Sequence, residues 1–144
     1  MTVTLSDEAR QYIGAFEEET EATAVDCLVD DEFDRLVFVV KAGEMPKAIG
    51  EGGETVQHLE EEFGRDVELV EDAPTAEGFV ANALSPAAVY NVTISEMGEE
   101  DETVAYAEVA HEDRGVAIGK EGRNIKAAKE LAKRHFDIDD IQLT

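Results

Sequence analysis

Cysteine, tryptophan, proline and lysine are all scarce in this chain of 144 residues. It has one cysteine, Cys27, no tryptophan, three prolines and six lysines. A single cysteine excludes an internal disulfide framework and a zinc site built on several thiolates. Long apolar runs are missing too: none approaches the roughly 18 residues needed to span a bilayer. The N-terminus, MTVTLSDEAR, has neither a basic region nor an apolar stretch of the signal-peptide kind. These absences predict a cytoplasmic protein with no membrane association. Positive charge is the most telling shortage. Twelve Lys and Arg face 35 Asp and Glu, giving a net charge of −23 and a pI near 4.2. That balance excludes an ordinary basic nucleic-acid binder and docking on an anionic membrane.

Apolar residues, in contrast, make up 43% of the chain, enough to build a core. The carboxylates are dispersed: Glu17–Glu19, Asp30–Asp34, Glu60–Glu62 and Glu99–Glu102 are separate clusters. A distributed excess of this kind keeps a protein soluble at the cost of self-repulsion, which concentrated salt screens. It predicts a halophilic source.

The charge is unevenly laid along the chain. Residues 1–75 hold five basic and 21 acidic residues, net −16; residues 76–144 hold seven and 14, net −7. All seven of those basic residues fall between Arg114 and Arg134, where only Glu121 and Glu130 oppose them. A local +5 inside a −23 chain marks residues 114–134 for a specific job.

An internal repeat sets the architecture. Ala48-Ile49-Gly50-Glu51-Gly52-Gly53 matches Ala117-Ile118-Gly119-Lys120-Glu121-Gly122 at an offset of 69 residues. The same offset brings Glu44 onto Asp113, Val40 onto Val109 and Val56 onto Ile125. Such self-similarity signals duplicated supersecondary units. In the first, apolar spacing predicts a helix over 5–19 with Ser6 as N-cap, strands over 25–29 and 35–42, a short helix over 45–49, a helix over 54–63 stopped by Gly64, and a strand over 66–70. The second predicts a helix over 76–84, a strand over 89–97, a polar turn over 98–102, a strand over 103–111, helices over 115–118 and 123–136, and a strand over 140–143. The domains therefore divide at about Pro74, 1–74 and 75–144, in an α/β (α+β) class.

The Ile-Gly-x-x-Gly loops carry the chemistry. Glycines allow tight turns and close backbone approach. The helix that follows offers unpaired N–H groups and a partial positive charge to a phosphate. Lys120 adds a direct charge in the second loop. On the helix after it, Ile125, Ala128, Leu131, Ala132 and Phe136 make an apolar side, with Lys126, Lys129 and Lys133 as an adjacent basic stripe.

An Ile-Gly-x-x-Gly loop between two helices, in a helix–strand–strand–helix–helix–strand unit, resembles the type II KH domain. Two such units in tandem resemble the archaeal NusA-like transcription factors over nearly the whole chain, with Ile118-Gly119-Lys120-Glu121-Gly122-Arg123-Asn124-Ile125 as the strongest match. The resemblance implies that the loop clamps the backbone of roughly four nucleotides of single-stranded RNA. It implies an RNA-binding role for Ile118, Gly119, Lys120, Glu121, Gly122, Arg123 and Lys126, and for Ile49, Gly50 and Gly53 in the first unit. It further implies action on nascent RNA near RNA polymerase, in termination or antitermination. The first loop departs from the pattern, with Glu51 and Glu54 where the second has Lys120 and Arg123. These carboxylates repel phosphate, so the first unit either holds RNA through its backbone or serves as a platform. A protein-interaction scaffold on the polymerase and a ribosome-assembly protein are the competing readings.

The remaining residues suggest no catalysis. Gly115 to Lys120 reads GxxxGK, one residue short of a phosphate-binding P-loop, with Glu121 where a magnesium-binding Ser or Thr belongs. His58, His111 and His135 are scattered without metal-ligand spacing. Cys27 is expected in the core, and Tyr90 and Tyr106 are expected to pack the second sheet, with base stacking as the weaker alternative. The expectation is a binding protein, not an enzyme, with no cofactor, metal or small-molecule substrate.

Overall fold

The computed structural model describes residues 4–97 and 102–144. It divides into two compact units, Thr4–Asp72 and Ala73–Thr144. Both are α+β and share one element order.

In the first unit, α1 (Asp7–Thr20) is followed by β1 (Ala24–Asp30), β2 (Arg35–Val40), α2 (Met45–Ile49), α3 (Glu54–Phe63) and β3 (Asp66–Glu71). Ser6 caps α1 as its sequence position predicts: the hydroxyl accepts from the Ala9 amide at 3.1 Å, worth about 1 kcal/mol. Glu21 ends the helix in a left-handed conformation. The helix buries Ala9, Ile13 and Phe16 against the sheet, where the Phe16 and Phe38 rings stack with centroids 4.4 Å apart. Burying each such side chain contributes roughly 1.5–3 kcal/mol. Leu59 on α3 and Cys27 on β1 complete this core, so the cysteine is a packed residue. Strand β2 is central, antiparallel to β1 and parallel to β3.

The second unit repeats the order: α4 (Ala76–Ala83), β4 (Val89–Met97), β5 (Glu102–Val109), α5 (Arg114–Ile118), α6 (Arg123–Phe136) and β6 (Asp140–Leu143). Again the middle strand is antiparallel to one neighbour and parallel to the other. Ala128, Leu131 and Ala132 of α6 are buried, and Ile125 and Phe136 pack beside them, which is the apolar side expected from spacing. The turn expected over 98–102 lies outside the described residues, apart from Glu102, which opens β5.

The duplication extends to details. Glu44 accepts from the Thr23 amide at 2.7 Å, and its counterpart Asp113 accepts from the Ala88 amide at 2.8 Å. Each carboxylate thus ties the approach to the short helix to the start of the first strand. The middle strands end two residues earlier than expected, at Val40 and Val109, because the chain there turns into this tie. Each first strand also carries a bulge at the same place. Ala24 pairs Val40 and Asp26 pairs Val39, leaving Val25 unpaired; Val89 pairs Val109 and Asn91 pairs Glu108, leaving Tyr90 unpaired. The extra residue inverts the two-residue alternation. Val89, Val92 and Ile94 therefore face the core, while Tyr90 is 68% exposed. This corrects the expectation that Tyr90 packs the sheet; Tyr106 is half-buried.

Candidate nucleic-acid interface

The second loop is built by two short helical segments that bury little. Helix α5 commits only Ala117 to the core and leaves Val116 and Ile118 exposed at 42% and 40%. Ile118 is therefore a surface residue at the lip of the loop, while Ile125 packs inward. Gly119 ends α5 at φ 78° and ψ 170°, Glu121 sits left-handed at φ 57°, and Gly122 at φ 77° forms the N-cap of α6. The Gly122 amide donates to the Gly119 carbonyl at 3.0 Å and closes the turn.

Gly119 is required sterically. A Cβ there would meet Asn124 Cγ at 2.7 Å and the Asn124 backbone nitrogen at 2.9 Å. Asn124 cannot move aside freely, because its Nδ2 donates to the Val116 carbonyl at 2.8 Å and so ties α5 to α6.

Three cations gather on this turn. Lys120 is exposed, and among the described residues it enters no ion pair. Arg123 folds back, its Nε donating to the Lys120 carbonyl at 3.3 Å. Lys126 runs alongside Gly122, its Cε 3.9 Å from where a Cβ would stand. Gly122 offers no N-cap side chain; the Arg123 amide donates to the Lys120 carbonyl, and the positive end of a 14-residue helix faces the same turn. Amides, helix dipole and three cations together suit an anion.

The other two lysines of the stripe are ion-paired near the end of the helix. Lys129 pairs with Asp140 at 3.2 Å, and Lys133 pairs with Asp137 at 2.9 Å and Asp139 at 2.7 Å. The hydrogen bond from Lys133, together with one from the Thr103 amide, holds the Asp139 carboxyl below its usual range; the same pairing raises the Lys133 ammonium. The sequence stripe thus divides into Lys126, which lies beside Gly122, and an ion-paired part near the C-terminus of α6.

The first loop has nearly the same backbone with the opposite charge. Gly50, Gly52 and Gly53 have φ of 76°, 64° and 79°, and Ile49 is 39% exposed. A Cβ on Gly50 would collide with Thr55 as one on Gly119 would with Asn124. Here Glu51 stands in place of Lys120 and Glu54 in place of Arg123, both exposed. Gly50 and Gly53 thus repeat the backbone geometry of Gly119 and Gly122, with Ile49 exposed like Ile118 and Lys47 the exposed cation close by in sequence.

A model of the NusA-like second KH domain matches residues 76–144, and one of the KH domain matches residues 10–99. A protein of Halobacterium salinarum, "Probable transcription termination protein NusA", is 74% identical over 144 residues, the whole of both chains. The chain belongs to the archaeal NusA family. A family member of the same name from Halococcus morrhuae is 59% identical over 143 residues, 99% of each chain. Both relatives come from halophilic archaea, in line with the dispersed carboxylates. The crystal structure of APE1850 superposes with a TM-score of 0.84 at 31% identity, covering 97% of this chain and all of that one. Tandem KH units of the NusA kind, expected from the Ile-Gly-x-x-Gly repeat, are thus its fold. Among the described residues, no helix is long and apolar enough to cross a membrane.

One cluster was invisible in the sequence. Glu19 on α1 meets His58 and Glu62 on α3, with His58 Nε2 2.8 Å from Glu19 Oε1. The sequence separation of 39 between Glu19 and His58 hides the contact from any local motif.

Proposed function

We propose that the chain is an RNA-binding transcription factor acting in termination or antitermination, with the second KH domain, residues 75–144, as its main grip on single-stranded RNA. The observation that carries this reading is the turn Gly119–Gly122, where Lys120, Arg123 and Lys126 surround the open end of α6 in a chain of net charge −23. Amides of the turn and of α6 hold the RNA backbone, the three cations neutralise phosphates, and exposed Ile118 and Val116 offer apolar contact to bases. The first domain, residues 1–74, presents Ile49, Gly50 and Gly53 in the same geometry and acts mainly as a platform, because Glu51 and Glu54 oppose phosphate. The site works by binding rather than catalysis, in the cytoplasm, with RNA polymerase as the protein partner. At the salt of a halophile cytoplasm the Debye length is about 3 Å or less, so short contacts dominate and long-range attraction is screened.

The test exchanges the loop charges. Lys120→Glu gives the second loop the charge of the first and should weaken binding of single-stranded RNA at least about tenfold in molar KCl, as expected for a lost charge-assisted contact. An Asp at position 119 would collide with Asn124 and would test folding instead. Unchanged affinity in folded Lys120→Glu protein would reject the site. Glu51 and Glu54 favour a second reading, a protein scaffold on the polymerase. Wild-type protein that binds no RNA in molar KCl yet copurifies with polymerase would establish it.

A further inference from the structure

We infer that Glu19, His58 and Glu62 form a site for a divalent transition-metal ion of the zinc type, carried by the first unit alone and independent of RNA. His58 and Glu62 are one turn apart on α3 and so share a face; Glu19 reaches them from α1. One ligand atom from each residue can be chosen so that all three lie within 4.8 Å of one another. Zinc bonds to nitrogen and oxygen of about 2.0–2.2 Å place neighbouring donors of one ion about 3–3.5 Å apart. His58 Nε2 and Glu19 Oε1 share a hydrogen bond at 2.8 Å, close to such an edge, so an ion would take the place of the proton between them; rotation of the exposed Glu62 side chain closes the remainder.

The donor set fixes the class of ion. A chain with 35 Asp and Glu attracts magnesium and calcium diffusely, and both prefer oxygen alone. An imidazole between two carboxylates selects instead for zinc, cobalt, nickel or copper. Two carboxylates balance the charge of a divalent ion. The three side chains are exposed, and Glu19 and His58 border a cavity of about 390 Å³ lined also by Glu54, Thr55, Gln57 and Glu61. Solvent water can reach an ion there and fill its remaining positions. At the repeat offset, His58 and Glu62 become Ala127 and Leu131, which are buried, so the equivalent positions of the second unit carry no such ligands. A bound ion would join α1 to α3, the helix that begins at the first glycine loop.

The chain has only three histidines, which makes the test direct. Zinc chloride is titrated into the full chain in molar KCl while the three imidazoles are followed by NMR. One equivalent should shift the His58 ring signals, leave His111 and His135 in place, and resist displacement by excess magnesium. Cobalt should develop visible absorption with the same stoichiometry. His58→Gln should weaken zinc binding at least about tenfold, since altering even an outer partner of a ligand typically costs that much, with the circular dichroism spectrum unchanged. Unmoved His58 signals, or equal zinc affinity in His58→Gln protein, would overturn the site and leave only diffuse binding by carboxylates.

Discussion

The Cβ that Gly119 lacks would stand 2.7 Å from Cγ of Asn124, the side chain that ties α5 to α6. Gly119→Ala should therefore cost more than the left-handed backbone alone explains, on the order of 2–4 kcal/mol. Gly43→Ala is the control: its φ is 87°, but nothing lies within 4 Å of the added carbon. Urea denaturation should rank Gly119→Ala, with Gly50→Ala beside it, well below Gly43→Ala. Equal losses would show that clash with residues 124 and 55 is irrelevant.

Glu121 is held at φ 57°, where Gly52 stands in the first loop. A left-handed non-glycine residue costs about 1–2 kcal/mol. Glu121→Gly should accordingly leave thermal stability unchanged or raise it. Glu130→Gly, in the middle of α6, should lower it by about 1 kcal/mol. The two melting temperatures, measured side by side, check this.

Lys129 and Lys133 point at Asp140, Asp137 and Asp139, so they are spent within the fold. Replacing both by Gln should change RNA affinity by less than about twofold while lowering the melting temperature. Lys120→Gln should do the reverse. Fluorescence anisotropy with a labelled single strand, alongside thermal melts, separates the two effects.

Arg35 is buried at the start of β2 and donates from Nε to Asp30 Oδ2 at 2.9 Å, across the hairpin from its register partner. Burial pushes the Asp30 carboxyl up, but the hydrogen bonds from Arg35 and the Phe33 amide outweigh it, and the net shift is downward. A carboxyl lowered on folding stabilises above its ordinary value, near 3.8, and that stabilisation is lost as pH falls through the folded value. Asp30→Ala should cost about 1–3 kcal/mol at neutral pH, because it removes a charged hydrogen-bond partner from a buried cation. It should also flatten the loss of stability below pH 4. A mutant as acid-sensitive as the wild type would contradict this.

Much of the fold was legible because local signals agreed with one another. Ser6, Gly64 and the spacing of Ala9, Ile13 and Phe16 marked helix ends and faces, and the repeat of Ile49-Gly50 in Ile118-Gly119 fixed the element order. The charge window drew attention to Lys120, Arg123 and Lys126. What was hidden depended on geometry that no local pattern carries. The bulges at Val25 and Tyr90 invert the strand alternation through one unpaired residue each, so strict alternation placed Tyr90 on the wrong side. Lys133 looked like the outer end of a binding stripe until Asp137 and Asp139, beyond the helix, curled back to it. Glu19 and His58 come together only because α1 and α3 are neighbours in the fold.

The near-identical backbone of the two glycine loops bears on genetics. Gly50 and Gly119 answer first to Thr55 and Asn124, contacts that exist whether or not a nucleic acid is present. A saturation screen scored by growth would mark both glycines as intolerant, and a map drawn from it would show two equivalent sites. The residue after each glycine, Glu51 or Lys120, would separate them, because it faces solvent and is free of that internal demand. In this chain, tolerance at the glycines reports assembly of the loop, and the charge one residue on reports what the loop can hold.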